Sequence, residues 1–111
     1  MMVKKNRTIE EYKRAGAGMR LLKTVAGQVL MDVSCVLSTV DQDRFSRGIE
    51  LIHHVCSHAE DNMFHDFPGL SNDFIDVFYG EVYYEPRNEV DRGQIELARK
   101  VANELFERKD H

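Results

Sequence analysis

The stretch HHVCSHAEDNMFHDF, residues 53–67, holds His53, His54, His58 and His65, one of the two cysteines, and the carboxylates Glu60, Asp61 and Asp66. Such a set could bind a metal, run acid–base chemistry or decorate the outside of a helix. His54 and His58 are four apart, so on a helix they stack one turn apart and could share one zinc or iron ion. His54 and Asp61 are seven residues apart, about 10 Å along a helix axis, too far to join the same ion. The stretch therefore reads as a column of half-sites. A third and fourth ligand would have to come from another helix or a second subunit. The simplest reading is a solvated polar face, with a stripe that docks a partner or responds to pH as the alternative.

Sharper catalytic readings lack their companions. Glu50-x-x-His53 has the form of a di-iron bundle motif, which needs a second such motif, and the chain has none. The run HHVCSHAEDNMF resembles the histidine–glutamate helix of hemerythrin-type proteins. The other helical segments carry no histidines to complete such a site, so no membership follows. Cys56 falls on an apolar helical stripe, where a thiol behaves as a small hydrophobe. Cys35 has no histidine near it in sequence. No GxGxxG, P-loop, nucleophile elbow or CxxC pair is present. A non-catalytic protein with no obligate cofactor is the expectation.

Charge gives a stronger hint. Between Arg47 and Arg87 there is no Lys or Arg, while Glu50, Glu60, Asp61, Asp66, Asp73, Asp76, Glu81 and Glu85 all lie there. Tyr83 and Tyr84 are adjacent within it, so in extended chain one of them faces outward. Carboxylates steer association with a basic surface and aromatic side chains anchor it. The expected contact set is Glu60, Asp61, Asp73, Asp76, Glu81, Tyr83, Tyr84 and Glu85. The expected partner is a basic protein, of the kind that binds nucleic acid, which this chain would mask or regulate. Residues 1–24 instead carry Lys4, Lys5, Arg7, Lys13, Arg14, Arg20 and Lys23 against Glu10 and Glu11. A nucleic-acid-binding regulator using this basic end is an alternative. The patch is short and the chain's net charge is −4, which argues against direct nucleic-acid binding.

The elements that must position these residues are helical. Thr8 and Glu11 form a capping-box pattern ahead of a first helix. Its apolar positions are Met19, Leu22, Val25, Ala26, Val29, Leu30, Val33, Val36, Leu37 and Val40, at steps of three and four. Gly16 and Gly18 each cost roughly 1 kcal/mol relative to alanine, which suggests a bend or a frayed start there. Asp41 is the expected cap of a second helix, whose stripe Phe45, Ile49, Ile52, Cys56, Ala59 and Met63 steps 4-3-4-3-4. FPGLSND breaks it, and a short third helix over 73–79 would bury Phe74, Val77 and Phe78 before stopping at Gly80. Asp91 to Gln94 would launch a fourth, with Ile95, Ala98, Val101, Ala102, Leu105 and Phe106 facing the core.

The fold expected is therefore all-α, an antiparallel helical bundle of three long helices and one short one, in a single domain over 1–111 with residues 1–7 a basic, flexible arm. A first helix of roughly 30 residues, about 45 Å, outruns its partners, so a homodimer through that helix is expected. No apolar run approaches the roughly 20 residues of a membrane helix. No apolar segment follows the basic N-terminus as in a secretory signal, and both cysteines sit in helices. A cytoplasmic protein without membrane contact is the expectation.

Overall fold

The structure, a computed structural model, describes residues 7–80, 82 and 85–107. Of these residues all the regular structure is helical. It comprises α1 (Ile9–Val33), α2 (Thr39–Asp66), a 3-10 helix η1 (Asn72–Val77) and α3 (Glu89–Phe106). Three long helices and one short one match the expectation from periodicity.

The boundaries follow local capping chemistry. The Thr8 hydroxyl accepts from Glu11 N–H and the Glu11 carboxylate accepts from Thr8 N–H, closing the capping box. The first helix ends at Val33 rather than continuing to Val40. Ser38, not Asp41, caps α2, because its hydroxyl accepts from Asp41 N–H at 3.1 Å. Gln42 holds the intervening turn by donating to the carbonyls of Ser34 and Leu37. Neither proline nor glycine marks this turn, so hydrophobic periodicity ran straight across it. Likewise Asn88 caps α3, accepting from Asp91 N–H, three residues before the expected start. That shift moves Asp91 from a surface cap into the interior.

The third segment is 3-10 rather than α-helical and ends at Val77. Phe74 is half-buried and Val77 and Phe78 are buried, so the expected side chains do reach the core. Gly80 has φ 98, a left-handed conformation that glycine adopts without steric cost.

α1 packs against α2, α3 and η1, and η1 also packs against α3. Arg7 and Tyr12 at the start of α1 reach Asp66 at the end of α2. Arg14 reaches Glu104 near the end of α3, whereas Arg20 reaches Asp91 near its start. The core gathers Tyr12, Cys56, Met63, Val77 and Phe78, with Met19, Ile52, Phe64, Phe67 and Phe74 against it. It therefore uses the first part of α1 and the last part of α2.

The face that α1 buries is not the expected one. Tyr12, Gly16, Ala17, Arg20, Lys23 and Ala26 are buried, while Leu22, Val25 and Val29 are exposed. Gly16 marks no bend or frayed start. It lies inside a continuous helix, and a Cβ there would sit 2.1 Å from the Val77 carbonyl oxygen. Glycine is required because η1 presses its backbone onto α1. At the far end of α3, Leu105 and Phe106 are exposed rather than facing the core.

Candidate functional site

α2 carries the histidine stretch. His53, His54, His58 and His65 are all exposed; Cys56 and Met63 are buried on the side opposite His54, His58 and His65, and His53 lies at the flank. The stretch is thus two interleaved stripes, one in the core and one outside it. Among the described residues no group of three or more His, Cys, Asp or Glu side chains is arranged to hold a metal ion. Within one copy His54 and His58 make at most a half-site. Burial pushes the Cys56 thiol up, with Lys23 partly opposing it, so this sulfur stays protonated and unreactive. Cys35 is exposed in the turn after α1.

The acidic residues divide into those that face solvent and those that the fold consumes. Asp61, Asp73 and Glu85 are exposed. Glu60 is half-buried, and its carboxyl is raised by desolvation first and by neighbouring Asp61 second. Asp76 is buried, contrary to its expected place on the surface. Arg87 pairs with one of its oxygens and the Asn88 side chain donates to the other at 2.7 Å. Asp66 is also engaged: it accepts from Tyr12 Oη at 2.5 Å and Arg7 Nε at 2.8 Å. Glu81, Tyr83 and Tyr84, named from the sequence, lie outside the described residues, as do residues 1–6.

The exposed carboxylates do not form one unbroken acidic field. Asp73 borders a recess of about 220 Å³ with Ile75, Asp76, Arg87 and Asn88. Glu85 borders a second, of about 220 Å³, with Arg92 and Arg99. Arginine therefore stands beside each of these carboxylates. The structure adds a residue that sequence reading placed merely at the end of a helix. Tyr79 is 57% exposed, and the Arg87 guanidinium lies 4.7 Å from its ring centroid. An exposed tyrosine braced by arginine suits a binding anchor. Gly80 behind it ends the segment and could have signalled a displayed side chain.

Beneath this surface lies a polar core that the sequence reading did not contain. Arg20 and Asp91 are both fully buried and meet at 2.6 Å. Arg20 also donates to the Asp76 carbonyl, and Asp91 accepts from Arg87 N–H at 2.8 Å. Lys23 Nζ donates to the Phe78 carbonyl at 2.8 Å. The Gln94 amide donates to the carbonyls of Lys13 and Val77. These bonds tie η1 and the start of α3 to α1, so they hold Asp73 and Tyr79 in place. The signal was two basic residues three apart, Arg20 and Lys23, on the helix side away from Leu22, Val25 and Val29.

No family model matches this chain, and no curated protein or solved structure matches it.

Proposed function

We propose that this chain is a non-catalytic binding module that docks on, and so masks or regulates, a basic partner protein. Asp61, Asp73 and Glu85 supply the negative contacts and Tyr79 an aromatic anchor. Glu60 stands at the edge of this set, and Glu81, Tyr83 and Tyr84 belong to the same acidic segment. One observation carries the reading: in the segment between Arg47 and Arg87, which has no Lys or Arg, Asp61, Asp73 and Tyr79 are all exposed. Carboxylates in such a place raise the rate of encounter with a cationic surface and set its orientation. We take the helices to form an antiparallel bundle that works in the cytoplasm as a homodimer through α1.

Affinity capture with the full chain, followed by mass spectrometry, identifies the partner, and binding to that purified partner is then titrated at low and high salt. Binding should weaken as the screening length falls from ~10 Å at 0.1 M salt to ~3 Å at 1 M. The combined substitution Asp61→Lys, Asp73→Lys and Glu85→Lys should abolish it while the helical circular dichroism is unchanged, since all three residues are exposed. Binding that ignores salt and survives the triple substitution rules out the electrostatic mode.

A further inference from the structure

α1 carries two faces, and its own fold uses one. At ~100° per residue, Gly18, Leu22, Val25 and Val29 form a narrow arc roughly 170° away from buried Arg20. Their steps of 4-3-4 are those of a helix-packing seam. Leu22 is 44% exposed, Val25 49% and Val29 37%, and a Cβ on Gly18 would meet nothing within 4 Å. Glycine inside a helix costs about 1 kcal/mol relative to alanine, yet nothing among the described residues needs one at position 18. Close approach of another helix would need it.

α2 extends the same surface. Leu51 and Val55 are 65% and 50% exposed. They lie roughly 80–120° round from the Cys56 and Met63 stripe, on the flank that turns toward the α1 seam because α2 runs back along α1. The contact between Tyr12 and Asp66 sets the level of the two helices, which puts Val55 and Leu51 at about the level of residues 23–27 of α1. The side chains of Leu22, Val25, Val29, Leu51 and Val55 together offer on the order of 400 Å² of apolar area, most of the apolar share of a standard interface of roughly 800 Å² per partner.

We infer that a second copy of the chain covers this face, with the two α1 helices antiparallel and centred between Leu22 and Val25. The inference rests on the homodimer reading above and specifies its contact surface. In this register Leu22 meets Val25 of the second copy, and Gly18 leaves room for Val29. Charge agrees with the orientation. Arg14 and Asp32 lie on one flank of the seam at its two ends; both are exposed, and Arg14 also pairs with Glu104 of its own α3. Reversing the second helix brings each to the level of the other on the same flank, whereas a parallel pair would leave Arg14 and Asp32 at opposite ends of the seam. A two-fold axis makes both pairings occur twice.

Sedimentation equilibrium on the full chain tests the surface. The wild type should be a dimer, and Leu22→Glu or Val25→Glu should weaken association at least tenfold with helical content unchanged. Register is read by mild oxidation of cysteine variants in a Cys35→Ser background. Mixing Gly18→Cys with Val29→Cys should give disulfide-linked pairs, and neither alone should. A wild-type dimer that survives Leu22→Glu and Val25→Glu overturns the seam but leaves homodimerism intact. A Gly18→Cys chain that links efficiently to itself overturns the antiparallel register. A monomeric wild type at the highest attainable concentration overturns the homodimer reading as well.

Discussion

Replacing Asp91 by alanine should be among the most damaging single changes in the protein. Arg20 and Asp91 are each 0% exposed and lie 2.6 Å apart. Removing the carboxylate takes the 2.6 Å ion-pair partner from a guanidinium in a dry interior and strips the acceptor from Arg87 N–H. Such a deletion costs about 3–5 kcal/mol, a large part of the roughly 5–15 kcal/mol that holds a domain folded. Unfolding entropy near ~2.1 cal/mol/K per residue, taken over 111 residues, converts ~4 kcal/mol into a fall in Tm of about 15–20 °C. Thermal and urea unfolding followed by circular dichroism measure it. Asp43→Ala is the control, because its pair with Arg47 is exposed at 57% and 74% and is worth less than about 0.5 kcal/mol, or some 2 °C. The double variant Arg20→Met with Asp91→Leu should recover much of the loss, since the penalty comes from burying one charge without the Asp91 carboxylate rather than from the pair's net strength. If Asp91→Ala and Asp43→Ala shift Tm equally, the buried polar core does not organise the fold.

Two further perturbations test the packing around that core. Gly16→Ala places a Cβ 2.1 Å from the Val77 carbonyl and should destabilise by about 2 kcal/mol, as overpacking does, whereas Gly93→Ala, with open space around it, should stabilise by up to about 1 kcal/mol. Equal effects in chemical unfolding would contradict the close approach of η1 to α1. The Tyr12 phenol, raised to about 12 by burial first and by its bond to Asp66 second, makes a pH prediction. Because the folded value exceeds the unfolded value of about 10, its stabilisation is complete below pH ~10 and is lost as pH rises toward ~12. Tyr12→Phe should remove that alkaline loss together with the phenolate absorbance step near pH ~12. At the acid end Asp66, held below the usual carboxylate range by its bonds from Tyr12 and Arg7, contributes stability above its unfolded value that fades as pH falls through the folded one.

The sequence by itself determined that the chain is helical, with three long elements and one short. It also determined that Cys56 and Met63 face inward while His54, His58 and His65 face out. Those features are local: a period near 3.6, a capping box at Thr8 and Glu11, and a proline–glycine break after Phe67. The acidic segment was equally legible, because charge along a chain needs no fold to be counted. Which carboxylates remain at the surface was not legible. Asp76 and Asp91 look like surface residues until η1 and α3 dock on α1 and bring Arg20 and Arg87 to them across 71 and 11 positions of chain. The face of α1 that enters the core was also decided by tertiary structure. Periodicity favours Leu22, Val25 and Val29, but the helix buries Arg20 and Lys23 and leaves those three exposed. A buried cation is tolerated only where partners distant in sequence supply its acceptors, and no window of neighbouring residues contains them.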